Sequence, residues 1–246
     1  LKQENPQQLV ESLQKSVTAT YDGMKLTDLV TGYGIAVVTT EALDNLGVNV
    51  KDAKISIQGF GSVGASAAKF LAENGAKVVA VADIHGTIYA ENGLDIHKLL
   101  ELKDSRGNIS REGLPENYEQ LPSEDWLNVD VDVLIPAAIA DVINKNNVND
   151  VKARLIVEAA NIPVTAEAEA ILFERDVVVI PDFIANSGGA GLFVAVLDGN
   201  ASGEADEIFT FLKNQLGKTT RDILTVANEK AILPRIAARE LVLAKK

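Results

Sequence analysis

Residues 54–83 constrain this chain more than any other stretch. They read KISIQ, then GFGSVG, ASAAKFLAENGA and KVVAVAD. The apolar positions of KISIQ alternate as in a strand. Gly59, Gly61 and Gly64 then stand at the spacing G-x-G-x-x-G. An Ala-rich segment with helical periodicity follows and stops at Asn74-Gly75, and a nearly continuous apolar run ends in Asp83. The pattern predicts one β-α-β unit with a dinucleotide-type turn after its first strand.

Each residue of that unit has a chemical reason. Gly59 permits the tight turn out of the strand. Gly61 has no Cβ, so backbone can approach a pyrophosphate, and Gly64 lets the helix pack closely on the strand. The turn as a whole, Gly59, Phe60, Gly61, Ser62, Val63 and Gly64, leads into a helix N-terminus, whose free N–H groups and positive dipole end suit phosphates. Asp83 follows Gly64 by about 20 residues, the interval at which an acid meets the adenosine ribose; it would accept from the ribose hydroxyls and repel a 2′-phosphate. Ile84 follows it. The expected cofactor is therefore NAD, with NADP the alternative. A tight turn that binds nothing is the structural alternative for the glycines.

Composition narrows the partners. The chain has 246 residues, 47% of them hydrophobic, enough for one large domain. Its net charge of −12 argues against nucleic acid as a partner, so phosphates must be held by local backbone dipoles. There is no cysteine, which excludes disulfides, thiol catalysis and Cys-ligated metal. His85 and His97, the only histidines, lack metal-ligand spacing, so no metal site is expected. No apolar run reaches transmembrane length and no signal peptide is visible, which makes the cytoplasm the default location. Because the chain begins with Leu1 rather than Met, a fragment or trimmed chain is expected.

The remaining segments read as alternating helices and strands. A helix is expected around Leu9–Thr20, broken at Tyr21-Asp22-Gly23. Thr31 is a candidate N-cap for a second helix, with Ile35, Val38, Ala42 and Leu46 on one face and Gly47 closing it. DIHKLLELK reads as a helix and SRGNISREG as a charged surface loop. Strands are expected at 131–138, 153–161 and 176–186. Ala137, Ala138 and Ile139 are read as entering a helix around Asp141, and Thr165 as capping AEAEAILFE. Gly217-Lys218-Thr219 resembles the end of a phosphate loop but has Leu212 where the first glycine belongs, so it reads as helix surface. The expected fold is a doubly wound, mostly parallel α/β sheet of Rossmann type. A helical lead (1–30) precedes the dinucleotide-binding domain (31–200), and C-terminal helices (201–246) follow.

In open α/β sheets, ligands bind outside the carboxyl ends of the strands. The residues there are the glycine turn, Asp83, Ala137 to Ile139, Asn161 and Asn186. A side-chain amide both donates and accepts, which suits a nicotinamide carboxamide or its ribose. Each asparagine alone serves equally well as a turn cap; as a pair at one sheet edge they favour ligand contact.

The chain resembles the nucleotide-binding domain of the glutamate/leucine/phenylalanine/valine dehydrogenase family, nearest in character to glutamate dehydrogenase. TGYGI (31–35), EAL (41–43), GFGSVG (59–64), GLDIHKL (93–99), LIPAAIADVI (134–143), VEAANIPVTAEAEAIL (157–172) and PDFIANSGG (181–189) carry the resemblance in family order. It implies that Thr31, Asn161 and Asn186 face the nicotinamide, while the glycine turn, Asp83, Ala138 and Ile139 hold the rest of the cofactor. The family also carries a preceding substrate domain with an activating lysine and a proton-transferring aspartate. Residues 1–30 resemble neither, so no catalytic residue is expected here. At the position of the family's carboxylate-binding serine stands Phe193.

Three functions follow as expectations. The first is the cofactor domain of an amino-acid dehydrogenase, carrying out oxidative deamination with hydride transfer to nicotinamide, its substrate domain lying elsewhere. The second is a stand-alone dinucleotide-binding regulatory or partner-binding module. A dehydrogenase for a less polar substrate, with a pocket built from residues 186–200 and the C-terminal helices, is the third. The expected partners are the dinucleotide, an amino acid or 2-oxo acid, and either a second copy or a separate substrate-domain chain.

Overall fold

The computed structural model describes residues 5–244; the outermost residues of the expected lead and C-terminal helices, 1–4 and 245–246, lie outside the described residues. The first helix, α1 (Pro6–Thr18), is capped by the Asn5 side chain and has proline in its first turn. A two-residue hairpin follows, β1 (Thr20–Tyr21) and β2 (Met24–Lys25). Its turn, Asp22-Gly23, has positive φ at both residues, the geometry that suits the twist of paired strands. What reads as a break in the sequence is thus a hairpin.

The second helix, α2 (Leu26–Asn45), begins five residues before Thr31. Lys25 at its N-cap makes no side-chain capping bond, so no cap marks the true start, and Thr31 sits inside the helix rather than capping it. The expected domain boundary at 30/31 falls within this continuous helix. Gly32 and Gly34 are contacts, not turns. A Cβ on Gly32 would lie 2.0 Å from Ser66 Oγ and 2.4 Å from the Ala67 nitrogen, and one on Gly34 would lie 2.9 Å from Leu216. Burial extends around α2, beyond the single face expected, because helices pack on several sides of it.

The β-α-β unit appears as read: β3 (Lys54–Gln58), α3 (Ser62–Glu73) and β4 (Lys77–Asp83), with Gly75 at φ +93° ending the helix. Then come β5 (Gly86–Tyr89), α4 (Ile96–Leu102) with Asp95 as its cap, β6 (Glu119–Leu121), β7 (Val133–Pro136) and β8 (Leu155–Val157). After these lie α5 (Ala166–Glu174), β9 (Val178–Ile180), α6 (Asp182–Ala185), α7 (Gly188–Leu197), α8 (Ala205–Lys230) and α9 (Pro234–Leu243). Thr165 caps α5 as expected, its hydroxyl accepting from the Ala168 N–H at 3.3 Å.

Among the described residues, seven strands form one sheet in the order β6-β5-β4-β3-β7-β8-β9. The run from β4 to β9 is parallel, and β5 and β6 add an antiparallel edge absent from the sequence reading. Side chains alternate between two cores. Ile55, Ile57, Val133, Ile135, Leu155 and Val157 face the core of α2, α3 and α8. Leu134, Ile156 and Val179 face the other, with Trp126 and α5. The chain leaves β3 toward β4 and later returns to place β7 on the opposite side of β3. The switch point, where a doubly wound sheet opens a crevice, is therefore between the ends of β3 and β7.

The helix expected after Ala137 does not form. The N–H groups of Asp141 and Ile143 bond across to the carbonyls of Ile162 and Pro163, and Asp141 adopts φ +54°. Those donors are therefore spent on the neighbouring segment instead of on a helical turn.

Candidate functional site

A cleft of about 610 Å³ opens at the switch point. The turn after β3 forms one wall, with Gly59, Phe60 and Gly61, and the segment after β7 forms another, with Ala137, Ala138 and Ile139. Asp83 and Ile84, at the exit of β4, line it as well. Trp126 and Leu127 supply apolar surface, and Arg106, Gly107 and Asn108 close one side.

The three glycines do different work. Gly59 has φ +94°, and a Cβ there would lie 2.8 Å from the Ala138 side chain. A Cβ on Gly64 would lie 2.0 Å from the Gly59 carbonyl oxygen, so α3 sits directly on the turn it follows. A Cβ on Gly61 meets nothing within 4 Å, because that side of the turn opens outward. Ser62, Val63 and Gly64 form the first turn of α3, whose N–H groups have no helical acceptor.

Asp83 is engaged more fully than a free ribose acceptor would be. Arg111 grips it with two bonds, Nη1 to Oδ2 at 2.8 Å and Nη2 to Oδ1 at 2.7 Å. The N–H groups of His85 and Ile109 donate to the same two oxygens, each at 2.8 Å. The side chain is 2% exposed. Burial works to raise its pKa, but the hydrogen bonds from Arg111, Ile109 and His85 and the Arg111 charge outweigh it and hold the carboxyl below its usual value. Arg111 lies in SRGNISREG, expected to be a surface loop. Its inner half is instead packed into the protein: Ile109 is buried in the main core, and a Cβ on Gly107 would lie 2.6 Å from the Gly61 nitrogen.

Thr31, Asn161 and Asn186 lie apart from the cleft wall, grouped around the exits of β8 and β9. The Asn186 amide donates to Asn161 Oδ1 at 3.0 Å. Thr31 reaches the same neighbourhood from α2: a Cβ on Gly189 would lie 3.3 Å from its hydroxyl, and one on Gly188 would lie 2.2 Å from the Val30 carbonyl oxygen. The SGG segment thus lets α7 begin against α2. Phe193, on α7, is 45% exposed.

Behind the asparagines lies a charged network with no local sequence signal. Arg235 of α9 pairs with Glu158 at 2.8 Å, Glu169 at 3.0 Å and Asp182 at 3.6 Å. The Asp182 N–H donates to Glu158, and the Ile162 N–H donates to Asp182. Burial pushes Glu158 up to about 7 against the pull of the Arg235 charge, and its Oε1 is buried without a partner among the described residues. This network fixes the residues flanking Asn161 and Asn186. Among the described residues, no helix is long and apolar enough to cross a membrane.

Comparison with known proteins bears on the family and the fold. The chain is 45% identical over 159 residues to the NADP-specific glutamate dehydrogenase of Saccharolobus shibatae, a match covering 65% of the chain and 37% of that protein. It is 34% identical over 211 residues to a cryptic catabolic NAD-specific glutamate dehydrogenase of Bacillus subtilis, covering 85% and 48%. A hetero-hexameric glutamate dehydrogenase from Thermus thermophilus, in its Leu-bound form, superposes with a TM-score of 0.75 at 26% identity, covering 89% of this chain and 51% of that one. The chain thus spans about half the length of the relatives it matches, or less. The family model for glutamate/leucine/phenylalanine/valine dehydrogenases matches residues 23–245. With its glycine turn at the switch point of a doubly wound sheet, this chain belongs to the glutamate/leucine/phenylalanine/valine dehydrogenase family.

Proposed function

We propose that this chain is the NAD(P)-binding domain of a glutamate-type amino-acid dehydrogenase, and that the groups activating the substrate lie outside it. The observation that carries this reading is the cleft between the ends of β3 and β7, walled by the Gly59–Gly64 turn and by Ala137–Ile139. A pyrophosphate there would be held by the first N–H groups of α3, on the side of Gly61 where a Cβ meets nothing within 4 Å. Asp83 and Ile84, which line the same cleft, would flank the adenosine half. Thr31, Asn161 and Asn186 would meet the nicotinamide half. Joined through one hydrogen bond, the two asparagines still have an amide donor on Asn161 and a carbonyl acceptor on Asn186 for a carboxamide or ribose.

Hydride chemistry belongs to the nicotinamide. This chain's part is to bind the dinucleotide, orient its ring and exclude water around it. Substrate and deamination are proposed by analogy with relatives named as glutamate dehydrogenases. A cytoplasmic setting, and assembly with copies or with a substrate-domain partner, belong to the same reading.

Phe193 favours a second reading. An exposed aromatic on α7 cannot anchor a substrate carboxylate, and the Thermus relative is described as hetero-hexameric, an assembly of unlike subunits. A dinucleotide-binding regulatory subunit fits these two facts. Assaying the chain with glutamate plus NAD, and with 2-oxoglutarate, ammonia and NADH, separates the readings from a complete enzyme. Cofactor binding without turnover is expected, and turnover by the chain alone would overturn the placement of the catalytic groups outside it. Turnover on adding the preceding half of a relative selects the dehydrogenase domain over the regulatory module.

A further inference from the structure

The region around Asp83 does not have the form that a ribose-binding carboxylate needs. A carboxylate has about four acceptor positions. Here Arg111 fills two, and the His85 and Ile109 N–H groups fill two more. Arg111 is held in turn, because Nη1 donates to the Ile109 carbonyl at 2.8 Å and Nη2 to the Gly86 carbonyl at 3.1 Å. The carboxylate is neutralised by a bidentate guanidinium and almost fully buried. It could accept from ribose hydroxyls only by releasing donors it already holds, and its repulsion of a 2′-phosphate is offset by the cation beside it.

The partners of Asp83 instead define a strap, residues 104–111. At one end, Asp104 accepts from the N–H groups of Arg106 and Asn108, each at 2.8 Å, and from the Asn108 side chain at 2.9 Å. At the other end Asp83 holds Ile109 and Arg111. Between them Gly107, at φ +86°, lies against Phe60 and Gly61 so closely that only a residue without a side chain fits. This fixes Arg106 at the cleft. Its guanidinium makes no hydrogen bond or ion pair with another described residue. In a chain of net charge −12, that places a cation beside the glycine turn.

We propose that Asp83 is a positioning residue which clasps Arg111 to seat the strap against the glycine turn, and that Arg106 of the strap, rather than Asp83, meets a phosphate of the dinucleotide. This rests on the reading of the cleft as a dinucleotide site. The chemistry recognised is a phosphate, either the pyrophosphate or the 2′-phosphate of NADP.

The test is calorimetric titration of the chain and its variants with NADH and NADPH, with circular dichroism to confirm folding. Asp83→Asn should weaken both cofactors by the same factor, about tenfold, because it loosens one strap that serves both. Arg111→Met is the sharper variant, since it frees the carboxylate. The clasp predicts equal loss of both cofactors, whereas a ribose-binding Asp83 predicts retained or tighter NADH and weaker NADPH. The double variant should lose no more than either single one, the signature of two groups acting as a unit. Arg106→Gln should weaken both cofactors alike if it meets the pyrophosphate, or NADPH more if it meets the 2′-phosphate. Unchanged affinity for both would remove Arg106. A shift of the NADPH-to-NADH ratio by tenfold or more in Asp83→Asn would overturn the clasp while leaving the dinucleotide site intact. Failure of the parent chain to bind either cofactor would overturn the site and the clasp together.

Discussion

Asn186 donates its side-chain amide to Asn161 across 3.0 Å, joining the exits of two adjacent parallel strands, β8 and β9. The bond orients both amides. Asn186→Ala should therefore release Asn161 as well as remove its own carbonyl acceptor. We expect about a tenfold loss of NADH affinity, close to one hydrogen-bonded contact, with ADP-ribose affinity unchanged because that fragment lacks the nicotinamide. Equal losses for both ligands would move the asparagines away from the nicotinamide end.

Gly61 and Gly64 should separate binding from folding. Gly61→Val adds a side chain where a Cβ meets nothing within 4 Å, so the fold should survive while NADH and NADPH binding are lost. Gly64→Ala drives a Cβ to 2.0 Å from the Gly59 carbonyl oxygen, and neither backbone segment can yield without moving α3. That strain should cost about 3 kcal/mol or more, visible as a lowered Tm. A folded Gly61→Val chain that binds NADH would displace the pyrophosphate from this turn.

Why some of this was legible and some not follows from the range of each signal. The β-α-β unit could be read because strand alternation, the glycine spacing and Asn74-Gly75 all lie within 30 consecutive residues. The start of α2 left no trace because Lys25 makes no capping bond. The antiparallel β5 covers only four residues and pairs with β4 through a turn directly after Asp83. Arg111 and Arg235 act on partners 28 to 77 residues away, so no local pattern announces them. Conversely Ala137–Ile139 do stand at a strand exit, directly after β7, although their local conformation is set by cross-segment hydrogen bonds and not by helix propensity.

Glu158 should make stability depend on pH near neutrality. Burial raises its folded-state pKa from 4.5 to about 7. A raised acid stabilises the fold while protonated. Its contribution is full below pH 4.5, declines as pH rises, and is gone once pH passes about 7. The full span is on the order of 3 kcal/mol. Glu158→Gln keeps the shape and removes the titration. Its Tm should match the parent at pH 5 and exceed it at pH 8. A parent that is more stable than the variant at pH 8 would mean the Arg235 pair keeps Glu158 ionised.

Asp83 should act in the opposite sense at lower pH. Its folded-state pKa is lowered, so its contribution is full above the ordinary value of 3.8 and is lost as pH falls through the folded value. Acid unfolding followed by circular dichroism should begin at a higher pH in Arg111→Met, which lacks the charge and hydrogen bonds that lower that pKa. An unchanged acid midpoint would mean the clasp does not contribute to stability.

The most direct test of the dinucleotide site is calorimetric titration of the purified chain with NADH. Saturable binding of one NADH per chain, abolished in a folded Gly61→Val variant, is the predicted result. No heat of binding with either NADH or NADPH, from a chain shown to be folded, would contradict the account and reduce the glycine turn to a structural joint between β3 and α3.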